Sequence, residues 1–243
     1  MRLDVYLCEN GLALSRTEAK KFILAVAVKV NGTVVTKPSF DVQENSVVDV
    51  DKSSKKYVSR GGLKLEAALI HFDISVEGTK AIDVGASSGG FTDCLLQRGA
   101  SHVIAVDSGT MQLSTILRDD PRVTVLENYN ARYMESEHFE FVPDLAVMDV
   151  SFISATLIIP AVSKILSKTG TFICLIKPQF EVGRSGLGKG GIVKNKALQK
   201  GAVEKVLSSA EAVGFKNVGV IESPILGGDG NVEFLACFRR ETL

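Results

Sequence analysis

The chain reads Lys80-Ala-Ile-Asp-Val-Gly-Ala-Ser-Ser-Gly-Gly-Phe91 at the point that decides its fold. A short apolar run followed at once by a glycine-rich turn predicts a buried strand that passes directly into a helix. Glycines there let the backbone approach a ligand closely, in the crevice beyond the carboxyl ends of the strands. The spacing Gly85, Gly89, Gly90 departs from the Gly-x-Gly-x-x-Gly of dinucleotide sites. The stretch therefore predicts an open α/β sheet with a ligand site at its edge.

Strands and helices continue to alternate along the rest of the chain, which indicates a parallel sheet with crossover helices. The predicted strands are 80–84, 102–106, 123–126, 145–149, 171–176, 217–221 and 233–238, and the predicted helices lie near 91–98, 110–118, 155–167 and 196–213. Only the turn Gly227-Gly-Asp-Gly230 separates the last two strands, so these should be antiparallel neighbours. This seven-stranded, doubly wound α/β arrangement resembles the Rossmann-like fold of S-adenosylmethionine-dependent methyltransferases.

The charge distribution predicts a separate basic unit before the sheet. The 243 residues have no net charge, yet residues 1–65 hold 11 Lys or Arg against 7 Asp or Glu, and the remainder holds 17 against 21. A basic unit is typical of proteins that bind an anionic partner, most often nucleic acid. The alternative is that the excess charge only forms a solvated face. The polar stretch 51–60 predicts a linker. We therefore expect an RNA-binding domain at 1–50, a linker at 51–60 and a second domain at 61–243.

The first 50 residues predict a small α+β RNA-binding domain. Ser15 and Glu18 have the spacing of a capping box that opens a helix, and Asn31-Gly32 predicts a hairpin turn. This order of parts resembles the RNA-binding module shared by the fourth small-subunit ribosomal protein, pseudouridine synthases and tyrosyl-tRNA synthetases. Such modules commonly carry Gly-Arg after the second helix, where this chain has Val26-Ala27. The resemblance therefore implies that this domain makes one phosphate contact fewer than modules that carry the Gly-Arg.

Charged residues end several of the predicted strands. Asp149 ends the fourth strand and Lys177 the fifth, and the carboxyl ends of parallel strands meet at one edge of a sheet. The last strand runs in the opposite direction, so its first residue, Glu233, should lie on the same edge. A helix that begins near Gly61 should bring Lys64 to that edge as well. We expect these four charges to converge, either as a reactive centre or as structural salt bridges.

Two further stretches suggest nucleotide chemistry. Asp107 ends the second strand, 24 residues after Asp83, where a carboxylate can accept hydrogen bonds from ribose hydroxyls. This pair predicts nucleoside binding, and NAD remains open on these grounds alone. The stretch Gly183-Arg-Ser-Gly-Leu-Gly-Lys-Gly190 fits Gly-x-x-x-x-Gly-Lys but ends in Gly, where a phosphate-binding loop needs Ser or Thr. We interpret it as a basic lid over a substrate.

Five stretches carry a closer resemblance that covers essentially the whole chain. They are Tyr57-Val-Ser-Arg-Gly-Gly-Leu-Lys-Leu65, Asp83-Val-Gly-Ala-Ser-Ser-Gly-Gly-Phe-Thr-Asp93, Asp149-Val-Ser-Phe-Ile153, Ile176-Lys-Pro-Gln-Phe-Glu181 and Gly230-Asn-Val-Glu-Phe234. Together they resemble the hemolysin-like (TlyA) family of ribosomal RNA 2′-O-ribose methyltransferases, whose catalytic domain is FtsJ-like. The resemblance implies S-adenosylmethionine as cofactor and a Lys-Asp-Lys-Glu catalytic set at Lys64, Asp149, Lys177 and Glu233. Lys177 is then expected to orient or deprotonate the 2′-hydroxyl.

Three sets of site residues follow from these patterns and the resemblance. The predicted catalytic residues are the four just named. The predicted cofactor contacts are Asp83, Gly85, Ala86, Ser87, Gly89, Phe91, Asp107 and Asn130. The predicted RNA contacts are Arg2, Ser15, Arg16, Lys20, Lys21, Asn31, Arg60, Arg184 and Lys189. The expected partner is ribosomal RNA or a ribosomal subunit.

Several function classes are excluded or left as alternatives. The best apolar run, Ile23–Val28, is far shorter than the roughly 20 residues of a membrane-spanning helix, so an integral membrane protein is not expected. We expect a cytoplasmic protein, because the cysteine pattern fits a reducing compartment. The four cysteines are scattered, and Cys94 and Cys174 are predicted to be buried thiols. The three histidines lack ligand spacing, so no metal site is predicted. A membrane-lytic protein and a non-catalytic ribosome-assembly factor remain the alternatives, and the modified nucleotide, the ribosomal subunit and the oligomeric state stay open.

Overall fold

The computed structural model describes residues 1–24, 27–50 and 56–240, so Val26 and the first half of the predicted linker lie outside the described residues. The chain divides into two compact units, Met1–Arg60 and Gly61–Leu243. Within the described ranges, no helix has both the length and the apolar character that a membrane crossing requires. The four cysteines, all among the described residues, are not joined in disulfides, and the predicted burial of Cys94 and Cys174 is confirmed.

The first unit is a small α+β fold. Its elements are α1 (Leu3–Glu9), α2 (Arg16–Leu24), β1 (Val28–Val30), β2 (Thr33–Val34) and β3 (Val48–Val50), with the antiparallel strand order β2-β1-β3. Asn31 and Gly32 both have positive φ, +50° and +79°, as the predicted two-residue hairpin turn requires. The Ser15 hydroxyl accepts a hydrogen bond from the Glu18 N–H (3.2 Å), which confirms the predicted cap. Apolar side chains of both helices and of β1 form one buried core.

The second unit is built on a seven-stranded sheet, and the predicted fold class is confirmed. Its strands are β4 (Lys80–Val84), β5 (His102–Val106), β6 (Val123–Leu126), β7 (Leu145–Met148), β8 (Thr171–Ile176), β9 (Phe215–Glu222) and β10 (Phe234–Arg240). Their order is β6-β5-β4-β7-β8-β10-β9. β10 is antiparallel to both of its neighbours, while the other pairings are parallel. This reversal brings the beginning of β10 to the edge where the parallel strands end.

Helices cover the sheet. The helices are α3 (Gly61–His71), α4 (Gly90–Gln97), α5 (Thr115–Arg118), α6 (Ile159–Ile165), α7 (Pro178–Glu181) and α8 (Lys196–Glu211). Two of them, α5 and α6, differ from the sequence-based prediction. The helix predicted at 110–118 is wrong over its first half. There Met111 has a φ of +54°, and the N–H groups of Met111 and Gln112 donate to the Glu127 carboxylate rather than to a helix. The helix predicted at 155–167 begins with a separate 3₁₀ turn, Ala155–Leu157.

Candidate active site at the edge of the sheet

Lys177 lies immediately after β8 and contacts two groups of the segment that follows β7. Its Nζ is 2.5 Å from Asp149 Oδ1 and donates a hydrogen bond to the Ser151 hydroxyl (2.7 Å). The side chains of Lys177 and Asp149 are 11% and 22% exposed, so this ion pair still reaches the surface. The pair therefore presents a cationic nitrogen and a carboxylate at an accessible point of the sheet edge.

A second ion pair lies one strand away and is buried. Lys64, in the first turn of α3, has its Nζ 2.5 Å from Glu233 Oε2, and the two side chains are 8% and 2% exposed. Phe234 pairs with Ile176 in the antiparallel register, which places Glu233 beside the start of the Lys177 segment. Gly227 packs closely here, because a Cβ on it would lie 2.3 Å from Glu233 Oε1. The four residues predicted as catalytic are thus two neighbouring lysine–carboxylate pairs.

A cavity of about 330 Å³ adjoins the exposed pair. Four of the predicted cofactor contacts line it, namely Gly85, Ser87, Asp107 and Asn130. Asp149 lines it as well, so the cavity reaches the carboxylate that pairs with Lys177. A Cβ on Gly85 would lie 2.5 Å from the Asp149 carbonyl oxygen, which explains why glycine is needed where the turn after β4 meets the end of β7.

The Asp107 carboxylate organises the glycine-rich turn. One of its oxygens accepts the Ser87 N–H (2.7 Å) and the other accepts the Gly109 N–H (2.7 Å). Each carboxylate oxygen has a second lone pair, so Asp107 retains the capacity to accept hydrogen bonds from a ligand. Its position on the cavity wall suits the diol of a ribose.

The other four predicted cofactor contacts do not line the cavity. Asp83 is fully buried and accepts hydrogen bonds from the Thr92 N–H (2.9 Å) and hydroxyl (2.7 Å), which ties β4 to α4. Burial raises the pKa of Asp83 to about 7, and the charges of Asp149 and Asp107 add to the rise against the Thr92 hydrogen bonds. Ala86, Gly89 and Phe91 shape the turn and the start of α4. A direct cofactor contact by any of these four stays a prediction.

An exposed aromatic ring stands at the mouth of the cavity, and sequence reasoning did not single it out. Phe152 is 94% exposed and has a φ of +63°, a left-handed conformation that is uncommon for an aromatic residue. Its ring centroid is 5.4 Å from that of Phe180. The only signal in the sequence was its place three residues after Asp149, in a stretch that carries the family resemblance. Gln112 and Tyr129 also line the cavity without having been predicted.

Two of the predicted RNA contacts are brought together in the first unit by a buried acid. The Asp4 carboxylate, which is fully buried, lies 2.9 Å from Arg2 Nε and 2.9 Å from Arg16 NH2. The two guanidinium groups hold the pKa of Asp4 well below its usual range. They are themselves 51% and 59% exposed, so both can still meet an anionic partner.

The remaining predicted RNA contacts are more dispersed. Lys20 is exposed, Arg60 is half-buried, and the Lys21 side chain lies outside the described part of the chain. The Ser15 hydroxyl caps α2, and Asn31 accepts the Val47 N–H (2.8 Å). In the second unit, Arg184 and Lys189 are exposed on the segment between α7 and α8.

A buried amide anchors the end of that basic segment. Asn231 is 1% exposed, accepts the Val193 N–H (2.9 Å) and donates to the Gly191 carbonyl (3.1 Å). Since Asn231 lies two residues before Glu233, the segment is attached to the loop that carries the buried ion pair. The interpretation of residues 183–190 as a lid over a substrate stays a prediction.

The fold and this edge of the sheet define an S-adenosylmethionine-dependent methyltransferase, and comparison with known families agrees. The model of the FtsJ-like methyltransferases matches residues 57–240, and that of the S4 domain matches residues 1–48. The chain therefore belongs to the FtsJ-like methyltransferase family and carries an N-terminal S4 domain. The cofactor predicted from the sequence is confirmed by this membership.

Full-length relatives share both parts. The chain is 44% identical over 239 residues to Hemolysin A of Brachyspira hyodysenteriae, covering 98% of this chain and 99% of the relative. It is 43% identical over 242 residues to the 16S/23S rRNA (cytidine-2'-O)-methyltransferase TlyA of Mycobacterium tuberculosis H37Rv, covering 99% of this chain and 90% of the relative. A solved structure titled "Putative hemolysin from Streptococcus thermophilus" superposes with a TM-score of 0.79 at 45% identity, covering 99% of this chain and 88% of that one.

Substitutions of Lys64 and Glu233 should have non-additive effects on the free energy of unfolding. Lys64→Met or Glu233→Leu alone leaves one buried charge without its partner and should lower the free energy of unfolding by about 3–5 kcal/mol. The double variant should lose less than either single variant, because no unpaired charge remains. Urea unfolding followed by circular dichroism measures the free energy of unfolding of the single variants and of the double variant. The exposed Arg122–Asp120 pair is the control, since Arg122→Gln should cost about 1 kcal/mol or less. Additive losses in the double variant would contradict the expectation.

Asp83 should make stability fall as pH rises. Its pKa is about 7 in the folded chain and roughly 4 when unfolded, so between these values the folded state holds a proton that the unfolded state has released. By linkage, the free energy of unfolding decreases from pH 4 to pH 7 and this contribution is constant above. In Asp83→Asn the decrease should be absent. Urea titrations of both proteins at pH 5 and pH 7.5 test this, and parallel pH dependences would refute it.

Proposed function

We propose that this protein transfers the methyl group of S-adenosylmethionine to a ribose 2′-hydroxyl of ribosomal RNA in the cytoplasm. The observation that carries the proposal is the accessible Lys177–Asp149 pair at the wall of a nucleoside-sized cavity in a methyltransferase fold. The Mycobacterium tuberculosis relative is named as an rRNA (cytidine-2'-O)-methyltransferase, which supports both the substrate and the position of the methyl group.

The residues of the cavity suit this cofactor. Asp107 has free lone pairs for the ribose hydroxyls, and Asn130 lies on the same wall. The turn at Gly85 leaves no side chain between the cavity and Asp149. When bound, S-adenosylmethionine supplies a methyl group already activated by its sulfonium, so the protein's main task is to position the acceptor.

Lys177 is the residue that meets the acceptor hydroxyl in this proposal. Its N–H groups orient the oxygen toward the cavity, and the Ser151 hydroxyl and the Asp149 carboxylate hold the nitrogen in place. As the new oxygen–carbon bond formed, the bond between that carbon and the sulfonium sulfur would break and the hydroxyl would lose its proton. Lys177 would take this proton while passing one of its own to Asp149, so the Asp149 carboxylate is the net proton acceptor. General base catalysis by such a pair typically contributes 10²–10⁴-fold, so loss of Lys177 removes both orientation and proton transfer.

The buried pair has a supporting role. Lys64 and Glu233 neutralise each other behind the accessible pair and join the start of α3 to the start of β10. Because breaking a buried ion pair leaves an uncompensated charge, this pair opposes separation of the two elements that it joins. We therefore assign to Lys64 and Glu233 the task of keeping the Lys177 segment in register.

Exposed groups around the site suit RNA. Single-stranded nucleotides are commonly held by stacking on aromatic rings, and the solvent-facing ring of Phe152 offers such a surface beside the cavity. Arg184 and Lys189 offer positive charge from the basic segment. In the S4 domain, Asp4 fixes Arg2 and Arg16 side by side, which suits two neighbouring phosphates.

The first test is Lys177→Ala in a transfer assay with labelled S-adenosylmethionine and purified ribosomal subunits. We expect methyl transfer to fall by at least 10²-fold while the cofactor affinity, measured by calorimetry, stays within a few-fold. Lys164→Ala is the matched control, because Lys164 forms an ion pair of the same length with Glu135 at an exposed position. Retained turnover in Lys177→Ala would reject the assigned role.

The same assay separates the alternatives. A ribosome-assembly factor without catalysis would bind cofactor and RNA but leave no label on ribose in the wild-type protein. A lytic protein would release dye from liposomes, and that possibility rests only on the names of relatives such as Hemolysin A.

The arginine pair should govern RNA affinity through charge. Arg16→Gln removes one exposed guanidinium and should weaken binding to ribosomal RNA similarly for different sequences, and it should reduce the slope of log affinity against log salt by about 1. Filter binding at several salt concentrations measures this. Lys29→Gln, an exposed charge on β1 outside the predicted contacts, serves as control. Equal salt slopes for wild type and Arg16→Gln would contradict the contact.

A further inference from the structure

Glu181 is a buried carboxylate that the proposed reaction does not use. It ends the short helix α7, four residues after Lys177, and its side chain is only 1% exposed. We propose that Glu181 is a positioning residue that holds segment 149–155 in the conformation needed for methyl transfer. This inference rests on the proposed function, since that segment carries Asp149, Ser151 and Phe152.

The Glu181 carboxylate is bonded to the far end of the segment. One oxygen accepts the Ala155 N–H (2.7 Å), and the other accepts the Ser154 hydroxyl (2.5 Å). Lys205 of α8 donates to the same oxygen (3.0 Å) and to the Glu181 carbonyl (3.1 Å), which balances the buried charge. Three donors from two different elements therefore converge on one carboxylate.

The near end of the segment is bonded to the other end of α7. Lys177, directly before that helix, contacts Asp149 and Ser151. Lys177 and Glu181 thus hold the two ends of segment 149–155, and the helical turn between them sets the distance. Movement at the Glu181 end would be transmitted along a short piece of backbone to Asp149.

The middle of the segment needs such support. Phe152 has a left-handed backbone conformation, which costs a non-glycine residue of order 1 kcal/mol and persists only when its surroundings enforce it. Its side chain is 94% exposed and supplies little packing of its own. The hydrogen bonds at Ser154 and Ala155 therefore restrain the backbone two and three residues after the strained Phe152.

Glu181→Gln is the decisive variant because it keeps the volume of the side chain. A glutamine has only one acceptor oxygen, and its NH₂ group would face a donor, so one of the bonds to Ser154, Ala155 or Lys205 must be lost. We expect kcat for methyl transfer to fall by on the order of 100-fold, since small displacements of reacting groups have effects of that size. KM for S-adenosylmethionine should rise by a much smaller factor than kcat falls, because the segment forms one wall of the cavity while Asp107 and Ser87 on the other wall are not held by Glu181.

Two control variants separate positioning from general loss of stability. Phe215→Leu removes a ring that packs, tilted, against Phe172 and Phe238 at the opposite end of the sheet, and it should lower Tm without lowering kcat at a temperature well below Tm. Ser154→Ala removes one donor while leaving the carboxylate in place, and it should lower kcat by a smaller factor than Glu181→Gln. If Phe215→Leu and Glu181→Gln lower Tm by similar amounts and also lower kcat by the same factor, the inference would be overturned.

A second readout needs neither RNA nor activity. The chain contains no tryptophan, so Phe152→Trp places a single fluorescent reporter in the segment. Adding Glu181→Gln should lower the fluorescence anisotropy of that reporter, because the segment gains local motion. Unchanged anisotropy together with unchanged kcat would overturn the inference. If the wild-type protein shows no methyl transfer at all, the proposed function fails, and the anisotropy alone then decides whether Glu181 holds the segment.

Discussion

The site depends on the direction of one strand. β10 lies between β8 and β9 and runs against both, with Phe234 opposite Ile176. This register places Glu233, just before β10, next to Lys177, just after β8. In a parallel arrangement the start of β10 would lie at the other edge of the sheet, roughly 20 Å away for a strand of this length. The reversal is what allows a residue from the last strand to join a site built from the carboxyl ends of parallel strands.

Buried carboxylates fix the arrangement of their neighbours at three places in the chain. Asp4 fixes two arginines of the S4 domain, Glu233 holds Lys64, and Glu181 ties segment 149–155 to α7. A buried carboxylate is costly unless its lone pairs are matched by donors, so it selects one arrangement of its neighbours. The groups that we propose to meet the substrate, the Lys177 nitrogen and the Phe152 ring, are more accessible than these carboxylates.

The two ion pairs differ in a way that suits different tasks. The Lys64–Glu233 pair is almost fully enclosed, whereas the Lys177–Asp149 pair borders the cavity. Breaking an enclosed pair leaves a charge that water cannot reach, so such a pair changes little during a reaction. The pair at the cavity wall remains accessible to a ligand. Position relative to solvent, more than residue type, is therefore the basis for the different roles that we propose for the two pairs.

The amino-acid sequence by itself determined the order of strands and helices, the hairpin turn at Asn31-Gly32 and the presence of four charged residues at one sheet edge. These follow from local rules, since strand and helix periodicity and glycine's tolerance of positive φ act over a few residues. Only the tertiary structure decided which side chains pair with which partners. It paired Lys64 with Glu233, 169 residues away, turned Asp83 into the interior, and replaced the first half of a predicted helix by a loop bonded to Glu127. Hydrogen bonds and ion pairs form between whichever groups the folded backbone brings within about 3 Å, and a local pattern contains no information about that distance.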